Sequence, residues 1–280
     1  MNIIHHTKSI MLNLVIEEIK KAKNYSAICE DVILRICNEE LPKYKKSKDV
    51  IKSVKKKLHT INNAFLQNYS HKVATDLLQD IDLKGQETTC DSIMRLHSST
   101  NERINELSTF YSEINAQIGA IDSIIDIGCG FNPFSLPWMQ TKVPLKYFAY
   151  DINLTTIDLI NKYFKAIQLD SQALPLDIIS RTPSQEAHVA FLFKLLPLIE
   201  QQKKGLYLNI LTSLNVEFII VTFPIISLSG IQKGMKEYYS NWFENGINGE
   251  FNICYKNTTQ NELIYIISKR RKAYNSTILL

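Results

Sequence analysis

A chain of 280 residues with 45% hydrophobic and 21% charged side chains is long enough to bury a sizeable core, as one large domain or two modest ones. No apolar run approaches the ~20 residues of a membrane span, and Met1–Ile10 has no signal-peptide apolar core. Five scattered cysteines without CxxC pairs argue against a zinc site or a disulfide framework and for a reducing cytosol, and the net charge of +4 matters less than where it lies.

The first ~110 residues read as helical, with only Pro42 and Gly85 to punctuate them. Between Lys43 and Lys57 stand eight lysines against one acid, Asp49. Helical spacing puts Lys45, Lys48, Lys52 and Lys56 on one face, with Lys55 beside them, and Val50, Val54, Leu58 and Ile61 on an apolar stripe. A cationic face on a packed helix is the footprint of nucleic-acid backbone binding. The plainer reading is a solvated surface helix, which the scarcity of compensating acids weakens.

From Asp122 onward the texture changes to short β-branched runs separated by helical segments. Strands are expected at Ser123–Ile127, Tyr147–Tyr150, Ala166–Leu169, His188–Phe193, Val216–Thr222, Phe251–Tyr255 and Leu263–Ile267. Alternation of this kind predicts a mainly parallel, doubly wound sheet, and the spacing of the last two strands a hairpin at an antiparallel edge. Asp126-Ile127-Gly128-Cys129-Gly130 is a buried strand running into a Gly-x-Gly turn, where glycine permits φ > 0 and close approach of a ligand. The third glycine of a dinucleotide fingerprint would fall at 133, where the chain has Pro133. That departure favours S-adenosylmethionine, which has no phosphate to cradle. Asp151 ends the next strand, 21 residues beyond Gly130, where an acid accepts from a ribose diol. Asp170 and Ser171 follow the expected third strand and suit an adenine edge. Taken singly, both acids serve equally as helix caps.

Four stretches resemble a known family, the aminoglycoside-resistance 16S ribosomal RNA methyltransferases of the Arm/Rmt group. They are His97-Ser98-Ser99-Thr100-Asn101-Glu102-Arg103, Asp126–Pro133, Phe191–Pro197, and Phe223–Gly230 with Lys233, Gly234, Met235 and Tyr239. The resemblance implies a class I S-adenosylmethionine-dependent methyltransferase, α/β and Rossmann-like, over residues 86–280. It implies a basic helical RNA-binding domain over 1–85. The implied reaction is methylation of N7 of a decoding-centre guanine in the 30S subunit by a cytoplasmic monomer without a metal.

Site roles follow from the same resemblance. Arg103 would pair with the donor's methionine carboxylate, a bidentate task suited to guanidinium. Gly128 and Gly130 would line the methionine portion, Asp151 the ribose, and Asp170 with Ser171 the adenine, with Asp126 also among the cofactor-binding residues. Lys194, Ser227 and Met235 would lie near the target base, and Lys233 on the RNA, where Ile226 replaces a residue that is often basic in the family. Met235, Phe223 and Trp138 are candidates for stacking on a flipped base. Guanine N7 has a free lone pair and no proton to lose, so no general base is expected. Other readings are a methyltransferase acting on another RNA or a small molecule, and an RNA-binding protein that has lost activity. For Arg103 the alternative is a surface ion pair with Glu102 or Glu106, and for Met235 core packing.

Overall fold

The computed structural model describes residues 2–22, 25–65, 70–226 and 234–270. Its centre is a sheet of seven strands: β1 (Ile121–Ile127), β2 (Thr141–Asp151), β3 (Gln172–Pro175), β4 (Glu186–Phe193), β5 (Asn215–Pro224), β6 (Phe251–Thr258) and β7 (Glu262–Lys269). Their order is β3-β2-β1-β4-β5-β7-β6. β7 runs antiparallel to β5 and closes a hairpin with β6, while the remaining neighbours are parallel. This is the mainly parallel, doubly wound sheet expected from the strand-helix alternation, with the expected hairpin at its antiparallel edge. The order reverses beside β1, so ligands gather at the carboxyl ends of β1, β2 and β4.

Helices cover both faces because successive residues of a strand point to opposite sides. Ile124, Tyr147 and Phe191 pack on one face with α4 (His71–Gln79), α6 (Gln86–Met94), α8 (Leu107–Ile118) and α9 (Leu154–Ala166). Between them in sequence lie the single-turn helices α5 (Ile81–Lys84) and α7 (Ser98–Asn101). Ile125, Ala190 and Leu192 pack on the other face with α10 (Leu196–Gln202), α11 (Leu206–Ser213) and α12 (Met235–Ile247).

A separate core joins α1 (Asn2–Lys20), α2 (Glu30–Glu40) and α3 (Ser47–Phe65) through Val15, Ile19, Val32, Ile36, Val50, Val54 and Leu58. The predicted apolar stripe of α3 is therefore its buried face. This module is fastened to the sheet end of the molecule. The Cys29 N–H donates to the Ile152 carbonyl (2.8 Å) and the Leu154 N–H to the Ala27 carbonyl (2.7 Å), directly after β2.

Two expectations need correction. Ala166–Leu169 is not a strand: α9 runs to Ala166, and the chain leaves it through Gln168 in the left-handed region (φ 54°). The third strand is Gln172–Pro175. Lys45 also precedes α3, which begins at Ser47, so the shared helical face starts at Lys48.

Candidate functional site

β1 ends at Ile127 and the chain turns through Gly128 (φ 64°) and Gly130 (φ 48°). A Cβ on Gly128 would come within 3.0 Å of the Leu195 side chain, and one on Gly130 within 3.5 Å of His97. The left-handed backbone favours glycine at both positions, and at Gly128 the tight approach of Leu195 adds to it. Asp151, at the end of β2, fixes the turn by accepting from the Gly130 N–H (2.9 Å) and the Asn153 N–H (2.9 Å). Burial pushes its carboxyl above the ordinary value, and backbone donors oppose the shift.

The Asn-Pro form of the loop has a structural cause. The Asn132 amide donates to Asp126 (2.9 Å), and its oxygen accepts from the Tyr111 hydroxyl (2.7 Å) and weakly from Arg103 (3.4 Å). Pro133 opens the short 3-10 turn Asn132–Trp138, where a missing N–H costs nothing. Asp126 also accepts from the Tyr147 hydroxyl (2.6 Å), and burial raises its carboxyl to about 7. Asp126 thus holds the loop from behind, within the core. His97 packs on Phe131 at 5.2 Å, and burial with the charge of Lys194 lowers its imidazole to about 4.

Arg103 is buried between the rings of Phe110 and Phe193, 4.7 and 4.6 Å from their centroids. Its Nη2 spans both oxygens of Glu262 (2.7 and 2.8 Å), the first residue of β7. Its partner is thus neither Glu102 nor Glu106. Lys194, at the end of β4 with φ 56°, reaches the same Glu262 (3.3 Å) and Glu102 (2.6 Å). Burial raises the Glu262 carboxyl, but the charges of Arg103 and Lys194 outweigh it and hold the group below its ordinary value. Arg103 Nε is buried with no hydrogen-bond partner among the described residues, which leaves a donor for a further acceptor. The residue that joins Arg103 to Lys194 is missed by sequence reasoning, because Glu262 lies 159 residues from Arg103.

Asp170 and Ser171 do not reach this site. They precede β3, whose register sets Gln172 beside Phe148 and Pro175 beside Asp151, so they stand at the amino end of β3, away from the carboxyl end of β2. The Asp170 side chain is fully exposed, and Ser171 Oγ accepts from the Tyr147 N–H (2.8 Å). After β3 come Asp177 and Ile178. Both line one cavity with Gly128 and Asp151, and Val32, Arg35 and Ile61 of the helical module form its far wall. The signal for Asp177 was a carboxylate just after a true third strand, obscured because that strand is four residues long.

Among the other expected residues, Met235 opens α12 and is half-buried, while Ser227 and Lys233 lie outside the described residues. Phe223 is fully buried against Tyr239, Trp242 and Phe243, so it serves the core and cannot stack on a base. Trp138 is half-buried against the sheet core. On the helical module, Lys45, Lys48, Lys52 and Lys56 are exposed and form no ion pair among the described residues. Lys55 is half-buried near Glu18. Lys43 and Lys57 are instead engaged by Glu40, and Lys57 also by Glu39. No cluster able to hold a metal ion occurs among the described residues.

A seven-stranded sheet in this order, a Gly-x-Gly turn after β1 and an acid closing β2 define a class I S-adenosylmethionine-dependent methyltransferase. The glycine cradle and the spare Arg103 donor fit that group. The chain belongs to the FmrO family of ribosomal RNA methyltransferases, whose profile matches residues 21–266.

It is 34% identical over 259 residues to a 16S rRNA (guanine(1405)-N(7))-methyltransferase of Serratia marcescens, covering 92% of this chain and 98% of that protein. A protein of the same name from Micromonospora rosea is 28% identical, over 90% of this chain and 95% of its own length. Among solved structures, the 16S rRNA methyltransferase RmtF in complex with S-adenosyl-L-homocysteine superposes with a TM-score of 0.82 at 31% identity, covering 92% and 98% of the two chains. The 16S rRNA methylase RmtB gives 0.80 at 30%, with the same coverage.

Proposed function

We propose that this protein transfers a methyl group from S-adenosylmethionine to N7 of a guanine in the decoding centre of 16S rRNA, the reaction named for its Serratia and Micromonospora relatives. The observation that carries this reading is the Gly128–Gly130 cradle clamped by Asp151, in a chain that matches the rRNA methyltransferase family over most of its length. When bound, S-adenosylmethionine supplies a sulfonium-activated methyl, which an unprotonated N7 lone pair accepts in line.

The chain's own part is positioning. Gly128 and Gly130 leave room for the methionine portion, Arg103 Nε is the free donor for its carboxylate, and Asp151 receives the ribose. Asp177 and Ile178 meet the adenine. Lys194 and Met235 face the target side, at the ends of β4 and at the start of α12. No general base enters the scheme, in keeping with the neutral His97 and the buried Asp126.

The helical module is the proposed RNA-binding part. Its own core ends near Ile61, while Ala74, Leu78 and Ile81 pack with the sheet. The free lysines lie on the segment that belongs to the module. We place the reaction in the cytoplasm on the assembled small subunit, with the enzyme acting as a monomer, and we expect the mark to give aminoglycoside resistance. Labelled methyl transfer to small subunits, naked 16S rRNA and small amines tests this. Label at a single N7-methylguanine in subunits is the expected result, and label only on free RNA or amines refutes it.

A further inference from the structure

The cavity bounded by Gly128, Asp151 and Asp177 is closed at its far end by an arginine of the helical module. Arg35 of α2 donates from Nε to Asp177 (2.6 Å), from Nη2 to Gln202 (3.0 Å) and more distantly to Asp177 (3.5 Å). Asp177 also accepts from Ser180 Oγ (2.8 Å) and the Ile179 N–H (3.2 Å). A carboxylate has about four acceptor positions, so nothing is left for a purine amino group. The space between these walls is about 30 Å³, room for one or two waters and far short of an adenine. On the other side of Arg35 lies a second cavity of about 260 Å³, bordered by Glu39, Lys57, Thr60 and Gln201. Glu39 already accepts from Arg35 Nη1 (3.2 Å).

We propose that Arg35 is a latch that sets the affinity for the methyl donor: it occupies Asp177 and must withdraw toward Glu39 before the purine end can enter. The inference rests on reading this cavity as the donor site. Both ends of the motion are built in. The guanidinium leaves one carboxylate for another and never stands unpaired, and the larger cavity receives it. The binding-competent form is then a minority of the free enzyme, so the measured affinity is reduced by that fraction. Because α2 belongs to the module that carries the lysine face, the latch also joins the donor site to the part proposed to hold RNA.

Calorimetric titration of the full-length protein with S-adenosylmethionine and S-adenosylhomocysteine tests this. Arg35→Ala is expected to bind both at least fivefold more tightly, in the range of ordinary coupling between sites. Arg35→Lys, which keeps the charge but loses the fork, falls between, and stands in if the alanine variant does not fold. Glu39→Gln weakens the receiving partner and is expected to lower donor affinity. Unchanged or weaker binding by both Arg35 variants, with Asp151→Ala still abolishing binding, overturns the latch alone. An Asp151→Ala variant that binds like the wild type overturns the site reading and the latch with it.

Discussion

The molecule carries two concentrations of positive charge with opposite physical treatment. On α3, Lys48, Lys52 and Lys56 stand in solvent without carboxylate partners among the described residues, while Arg103 and Lys194 are drawn into the sheet end around one buried acid, Glu262. The exposed set leaves its full charge to an incoming polyanion and does little for folding. The buried set has spent its charge internally, and among the described residues it leaves Arg103 Nε without a hydrogen-bond partner. The two regions should therefore respond oppositely to mutation.

The largest effect is expected where a buried charge loses its partner. Glu262→Ala leaves Arg103 in a desolvated slot between two rings and should cost about 3–5 kcal/mol in urea unfolding, whereas surface pairs are worth little. Replacing both residues with apolar ones of similar size should recover most of the loss. A double variant no better than the single would show that the pair does not act as a unit. Since Glu262 titrates below its ordinary value, its contribution is present above the unfolded carboxylate pKa and fades as pH falls through the lower folded one.

Next comes the polar cluster under the loop. Asn132→Ala removes the group that bridges Asp126 and Tyr111; each keeps one partner, Tyr147 and Ser135, so the two lost buried hydrogen bonds should cost about 1–3 kcal/mol together. Donor affinity should fall with it, because Pro133 and the glycine turn lose their anchor. An intact affinity would detach the cluster from the site. Asp126→Asn sharpens the point through pH. The Asp126 carboxyl is raised to about 7, so its favourable contribution is complete below about 4 and is lost as pH rises through 7. The stability of the wild type relative to Asp126→Asn should decline across that window, by at most about 1.4 kcal/mol per pH unit for one proton. A constant difference from pH 4 to 8 would mean that Asp126 stays ionised.

Much of this was legible in the chain. Strands β1, β4, β5 and the β6–β7 hairpin show as β-branched runs, and Gly128, Gly130 and Asp151 sit where the turn and the acid were expected. What failed was local. Ala166-Ile167-Gln168-Leu169 is apolar enough to read as a strand, but α9 ends at Ala166, only Ile167 and Leu169 pack half-buried against the sheet core, and the true strand is short and ends at Pro175. Shifting that strand moved the acid that lines the cavity with Gly128 and Asp151 from Asp170 to Asp177. Glu262 and Arg35 were invisible for another reason: their meaning comes from partners far away in sequence, which the fold brings together and no spacing encodes.

The smallest effect on folding and a clear one on binding should come from the exposed lysines. Reversing charge at Lys52 and Lys56 removes no contact in the folded protein, so the thermal midpoint and donor affinity should match the wild type. Binding to small ribosomal subunits should weaken at every salt concentration. Each lysine that faces a phosphate contributes about 0.7–0.9 to the slope of log affinity against log salt. Neutralising the pair to alanine should therefore lower that slope by roughly 1.5, and reversal should lower affinity further. The same substitutions at Lys72 of α4 and Lys165 of α9, exposed lysines on helices that pack with the sheet, serve as the matched control and should leave the slope unchanged. If the Lys52/Lys56 variants keep the wild-type slope, the exposed face is only solvated surface. The contrast with the buried cations would then be one of packing alone, and the RNA contact would have to be sought nearer to Met235.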